Sequence, residues 1–88
     1  MRRNIVGSRV RLRRRELRLT QDALAARLQT FGVGLERAGV SKVESGMRRV
    51  TDSEVLALAE CLGVDPNWLL DYGGTAHAVR CAAIQPGR

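Results

Sequence analysis

Signals that begin and end helices divide this chain into short segments and so restrict the folds open to it. Thr51 and Glu54 have the spacing of a capping box, in which a hydroxyl and a carboxylate bond the free amides at a helix start. Asp65 and Pro66 form a further start signal, because proline in the first helical position sacrifices no hydrogen bond. Gly63 is placed to end the helix between them, since glycine readily adopts the left-handed conformation found there. Segments bounded so closely predict a compact all-α fold.

Apolar side chains recur every three or four residues in five segments, as expected for helices that bury one face. These positions are Val6, Val10 and Leu17; Leu24, Leu28 and Phe31; Val40 and Val43; Val55, Leu58, Ala59 and Leu62; and Trp68, Leu69 and Leu70. Thr20 is the N-cap that opens the second helix at Gln21, and Gly46 ends the third. The sequence therefore predicts five helices around one core.

The helical signals cover most of the chain and then fade. Its 88 residues are enough for one domain. Gly73 and Gly74 form a flexible break, and an Ala-rich stretch without a clear apolar stripe follows. We therefore expect a folded domain over residues 1–72 and a tail over residues 73–88. This tail either frays or forms a short helix when a partner binds.

Several classes of protein are disfavoured by what the sequence contains. The longest apolar run, residues 55–59, is too short to span a membrane, and no apolar segment follows the basic start as a secretory signal requires. Without a Gly-rich phosphate loop or a catalytic Ser-His or Cys-His set, we expect neither an enzyme nor a cofactor. His77 and Cys81 have only Cys61 to help them bind zinc, which takes about four ligands, so no metal site is expected. A disulfide between the two cysteines is not expected either.

Positive charge is concentrated at one end of the chain. Residues 1–18 carry eight arginines and one glutamate, a local charge of +7, whereas the remaining seventy residues sum to −1. Such an excess attracts a polyanion, most commonly a phosphate backbone. The alternative is a solvated helix face that keeps a small protein soluble, and composition alone leaves both open.

Four stretches in register resemble one protein family. They are GSRVRLRRR (residues 7–15), LTQDALA (19–25), VSKVESG (40–46) and LGVDPNWLL (62–70). Together they are similar to the phage-repressor family, of lambda-repressor-like or Cro/XRE type, over residues 5–72. The resemblance implies a compact five-helix DNA-binding domain whose second and third helices form a helix-turn-helix. The implied function is a sequence-specific, double-stranded DNA-binding transcriptional regulator, a repressor that reads the major groove with helix three.

Candidate base-reading residues lie near the start of helix three, on the side opposite its valines. Arginine or lysine there can donate to guanine O6 and N7, and alanine can touch a thymine methyl group. These candidates are Arg37, Ala38, Ser41 and Lys42. The alternative is an ordinary solvent-exposed face.

Candidate phosphate-binding residues lie at helix two's start and around helix three's end. Gln21 stands where free amides and the helix dipole attract an anion, and the resemblance implies that it binds the DNA backbone. The full set is Thr20, Gln21, Ser45, Arg48 and Arg49. For Gln21 and the two arginines, a plain surface role is the alternative.

Arg14 stands in the apolar stripe of helix one and needs a partner. The resemblance implies an ion pair with Glu44 that fixes helix three against helix one. The spacing from Gln21 to Glu44 is longer than in compact members, with the surplus in residues 29–36. Either helix two gains a turn or the link is an open loop, which leaves the docking of helix three undecided. A similar lengthening occurs in a sub-branch that also carries a stretch like VTDSE (residues 50–54).

The expected partners follow from this function. One small module buries only about 600 to 1,000 Å² on DNA, so we expect a homodimer on a near-palindromic site. Apolar surface left over around residues 68–70 could form the contact, or these residues are all core. The alternative function is an antitoxin-type interaction module that binds a protein through its tail as well as its own promoter. No membrane partner is expected, since helix one needs its apolar side for the core. The expected location is the bacterial or phage-infected cytoplasm, at the nucleoid when bound.

Overall fold

Residues 2–70 form five helices joined by short connections. The structure is a computed structural model that describes residues 2–70. The helices are α1 (Gly7–Glu16), α2 (Gln21–Thr30), α3 (Arg37–Ser45), α4 (Asp52–Leu62) and α5 (Pro66–Leu69), and this range contains no strand. The predicted all-α, five-helix fold is confirmed. The predicted tail, residues 73–88, lies outside the described residues, as do residues 71 and 72.

The helix boundaries follow the local signals in the sequence. The hydroxyl of Thr20 accepts a hydrogen bond from the amide of Ala23 at 3.0 Å and so caps α2. At the start of α4, Thr51 and Glu54 form both bonds of the predicted capping box. Gly46 ends α3 in the left-handed conformation, with φ of 81°. Local chemistry therefore determines where most of these helices begin and end.

The core lies between α1, α2 and α4, and the inner face of α3 and the short α5 add side chains to it. Its fully buried side chains are Val6, Val10, Leu24, Leu28, Val40, Val43, Leu58, Leu62 and Leu69. The helix α3 packs against α1 and α2, whereas α4 packs against α1, α2 and α5. One side of α3 is therefore buried against two helices, and its other side is left outermost.

The predicted inward position of Phe31 is wrong. Its side chain is 49% exposed, because α2 ends at Thr30 and the backbone turns away at Gly32, where φ is 82°. Leu35, in the loop that follows, is buried in the core. The loop therefore contributes its own core residue.

The link between α2 and α3 is an open loop rather than an added helical turn. The second helix has ten residues and ends at Thr30, and residues 31–36 connect it to Arg37. Of the two alternatives for the lengthened spacing, the loop is the one found. A longer loop costs little extra entropy, so α3 can still pack tightly on α1 and α2.

Candidate nucleic-acid interface

The outer edge of α3 is polar and accessible along its length. Arg37, Ala38, Ser41 and Lys42 are all exposed. On the opposite side Val40 and Val43 are each only 1% exposed. The four predicted base-reading residues are therefore brought together on one free edge, anchored by the valines beneath.

The start of α3 lies beside the start of α2. The guanidinium of Arg37 approaches the carboxylate of Asp22 at 3.8 Å, and both side chains are largely exposed. An exposed ion pair of this kind contributes about 0 to 1 kcal/mol to stability, so it does not hold the Arg37 side chain in one position. Asp22 was not predicted to meet Arg37, because no local pattern relates residues on either side of a loop.

Glu44 joins three helices at the base of α3. It is 7% exposed, and its carboxylate accepts two hydrogen bonds from Arg14, at 2.5 and 3.1 Å. The Arg14 guanidinium also donates to the carbonyl of Leu19 at 2.8 Å, which satisfies a further donor. The ion pair that the resemblance implied is present, is nearly buried and connects α1 to α3.

Gln21 is held by the same carboxylate. Its side-chain amide donates to Glu44 Oε1 at 3.1 Å, and the residue is half-buried at the first position of α2. An amide nitrogen carries two hydrogens, so one remains to be donated outward. Gln21 thus has a structural contact in addition to the phosphate contact predicted for it.

The remaining predicted phosphate-binding residues differ in exposure and in whether their side chains are bonded within the domain. Arg49 and Ser45 are exposed, and the Ser45 hydroxyl donates to the carbonyl of Lys42. Arg48 instead donates to Glu54 at 2.9 Å and is held at the start of α4. That hydrogen bond lowers the pKa of Glu54 below its ordinary value despite the opposing effect of partial burial. Arg49 is therefore the better placed of the two arginines to bind an anion.

The chain's first residues fasten the end of α3, which sequence reasoning missed. The side-chain amide of Asn4 donates to the carbonyls of Val43 at 3.1 Å and Arg48 at 2.7 Å. A Cβ on Gly7 would lie 2.2 Å from the carbonyl oxygen of Val43, so only glycine allows α1 to approach α3 this closely. The only signal in the sequence was an asparagine shortly before α1 and a glycine at its first position, and neither indicates a partner.

Comparison with known proteins identifies the architecture formed by α2, the loop and α3. A family model described as helix-turn-helix matches residues 10–69. The chain belongs to the Cro/XRE-type helix-turn-helix family. Family and fold are those of DNA-binding regulators, which are not enzymes.

A solved helix-turn-helix protein has the same fold. The crystal structure of the P22 c2 repressor protein in complex with a synthetic operator superposes with a TM-score of 0.65 at 28% sequence identity. The match covers 76% of this chain and 94% of that one. A search of curated proteins gives no match.

Not all of the arginine excess in this helix-turn-helix domain is available to a ligand. Arg13 donates to the carbonyl of Leu62 at 2.9 Å, and Arg9 donates to that of Trp68 at 2.9 Å while lying 5.0 Å from the centre of its ring. These carbonyls end helices α4 and α5, where cations are favourable. Arg9 and Arg13 therefore give the basic segment a third role, binding the domain's own helix ends, and Arg14 binds Glu44 and the carbonyl of Leu19.

Two further questions raised by the sequence concern a metal site and a membrane-spanning helix. Among residues 2–70 no group of His, Cys, Asp and Glu side chains is arranged to hold a metal ion. Burial raises the pKa of the Cys61 thiol, which disfavours the thiolate that metals prefer. His77 and Cys81 lie outside the described residues. None of the helices described is long and apolar enough to cross a membrane.

Proposed function

We propose that this protein represses transcription by occupying a DNA operator with α3 lying in the major groove. Its family membership supports the broader part of this proposal, that it is a sequence-specific, DNA-binding transcriptional regulator. The P22 c2 repressor, similar in fold, is described in complex with a synthetic operator. The proposed DNA-binding domain spans residues 1–72, and the proposed place of action is the cytoplasm, where bacterial and phage DNA lies.

The observation that carries the proposal is the exposed polar edge of α3 above its buried valines. Arg37 and Lys42 can each donate to guanine O6 and N7, and Ala38 can contact a thymine methyl group. Their position on one edge lets them enter a groove about 12 Å wide, since a helix fills that width. Ser41, between them, can donate to or accept from a base.

Phosphate contacts at both ends of the motif orient α3. At the start of α2, Gln21 has a second amide hydrogen to donate, and the helix dipole favours an anion there. Thr20 caps the same helix start, and Ser45 at the end of α3 and Arg49 just beyond it are both exposed. Such contacts fix register without reading sequence, so their loss weakens binding to all duplexes alike.

We propose that two copies bind one near-palindromic operator. Exposed apolar residues line a groove of about 630 Å³ between α4 and α5, with Leu56 at 55% and Leu70 at 38% exposure. The other residues that line this α4–α5 groove are Val50, Asp52, Ser53, Val55 and Pro66. A second copy is the proposed occupant, because a single module buries only about 600 to 1,000 Å² on DNA and tight binding generally needs two.

Selection of bound duplexes from a random pool, followed by salt titrations, tests the proposal. We expect a near-palindromic site with half-sites about 34 Å apart. Replacing Arg37 or Lys42 with alanine should cost about 1 to 3 kcal/mol on the selected site and little on a scrambled duplex. The Arg49→Ala control should weaken both duplexes alike. Equal losses on the two duplexes for Arg37 and Lys42 would refute base reading by α3.

A further inference from the structure

A cleft lined by arginines lies at the opposite end of α3 from Arg37. Its lining is Arg2, Arg3, Met47, Arg49 and Val50, and its volume is about 650 Å³. We call it the arginine cleft. The lining contains no acidic side chain, so the cleft concentrates positive charge that a bound anion would neutralise.

The first residues of the chain are held in the cleft by their backbone rather than by their charges. The amide of Arg3 donates to the carbonyl of Gly46 at 2.7 Å, and Asn4 bonds two further carbonyls. A Cβ at Gly46 would lie 3.0 Å from Cγ of Arg2, so the aliphatic stem of Arg2 packs on the bare glycine. These contacts place both arginines at the end of α3 through the backbone of Arg3 and the aliphatic stem of Arg2, and they do not involve the guanidinium groups.

Arg2, Arg3 and Arg49 do not have the structural role that is simplest for arginines near a helix end. Cations commonly neutralise the carbonyls at a helix C-terminus. Arg9 and Arg13 do this for other helices, yet within residues 2–70 the guanidinium groups of Arg2, Arg3 and Arg49 neither donate to a carbonyl nor pair with a carboxylate. Three like charges therefore line one cleft without a partner among the described residues, an arrangement suited to binding an anion.

The dimensions match those of the major groove. The nine residues of α3 span about 13 Å at a rise of about 1.5 Å per residue. The major groove is about 12 Å wide, and its walls are phosphates. If the first turn of α3 contacts bases, the arginine cleft at the other end of the helix lies beside the phosphates that border the groove.

We propose that the arginine cleft binds the sugar-phosphate backbone of DNA beside the half-site that α3 reads, which rests on the function proposed above. Val50 lines both this cleft and the α4–α5 groove, so the two surfaces adjoin. When two copies meet through that groove, both clefts lie toward the two-fold axis. The phosphates bound are then those between the half-sites.

Salt titration of charge variants tests the cleft. The double variant R2A/R3A should flatten the plot of log K against log salt concentration by about 1.8, since each lost phosphate contact removes about 0.9. The loss should be equal on the selected operator and on a scrambled duplex. R2K/R3K should keep the slope because the charges remain, and Arg15→Ala, which removes an exposed arginine outside the cleft, should keep it as well.

Ethylation interference locates the contact independently of the variants. Ethylating phosphates between the half-sites should weaken binding of the unaltered protein and should matter less for R2A/R3A. Three results would each refute DNA-backbone binding by the arginine cleft while leaving base reading by α3 intact. They are an unchanged slope for R2A/R3A, an equal flattening by Arg15→Ala, and insensitivity of binding to ethylation of the central phosphates. Absence of sequence preference in the unaltered protein would instead refute the proposed function, and the slopes on any duplex would still test the cleft.

Discussion

Replacement of Glu44 by glutamine tests how α3 is held. The change removes a charge from a site that is 7% exposed and leaves the guanidinium of Arg14, itself 11% exposed, with neutral acceptors, the glutamine side-chain carbonyl and the backbone carbonyl of Leu19. Breaking a buried pair in this way costs about 3 to 5 kcal/mol. For a domain of this size, about 3 kcal/mol lowers Tm by about 12 to 24 °C.

Urea unfolding followed by circular dichroism measures this loss, and Glu16→Gln is the matched control. Glu16 pairs with Arg13 at 3.3 Å, but its side chain is 39% exposed, so its removal should cost less than about 1 kcal/mol. Operator affinity of E44Q should fall as well, because both Gln21 and Arg14 lose the charged carboxylate to which they donate. A loss for E44Q no larger than that for E16Q would refute the view that this buried pair fixes α3.

Three further changes have distinct expected outcomes. Gly7→Ala should destabilise the fold by about 1 to 3 kcal/mol, because its Cβ would lie 2.2 Å from the carbonyl oxygen of Val43; an unchanged Tm would contradict this close packing. Glu54 has a lowered pKa in the folded protein, so its contribution to stability is fully present above its ordinary value of 4.5 and is lost as the pH falls through the lower folded value. Urea unfolding across this range should show a weaker pH dependence for Glu54→Gln, and an identical one would contradict the bond from Arg48. Leu56→Glu should keep the fold, since the side chain is 55% exposed, yet weaken pairing on the operator by about tenfold, or about 1.4 kcal/mol; unaltered assembly in analytical ultracentrifugation would exclude the α4–α5 groove.

Local signals were sufficient to predict the helices and the edge of α3. The capping box at Thr51, the N-cap at Thr20 and the glycine at position 46 act within one turn of the helix they bound, so the sequence displays them directly. Periodicity likewise separates Val40 and Val43 from the polar side of α3. These features depend on residues at most a few positions apart.

Contacts between distant segments could not be predicted in the same way. The acceptors of Arg9 and Arg13 are backbone carbonyls, which every residue carries, so no side-chain pattern reveals them. Phe31 satisfied the helical spacing but fell at the point where α2 ends, and Leu35 entered the core from a loop without periodicity. The pair between Arg14 and Glu44 was implied by family resemblance, since thirty positions separate its members.

The central claim is that the outer edge of α3 lies against base edges. Nuclear Overhauser contacts between the labelled protein and its selected operator test this most directly. We predict contacts from the methyl group of Ala38 and the side chains of Arg37 and Lys42 to major-groove base protons. Contacts confined to other helices, with α3 facing solvent in the complex, would contradict the account.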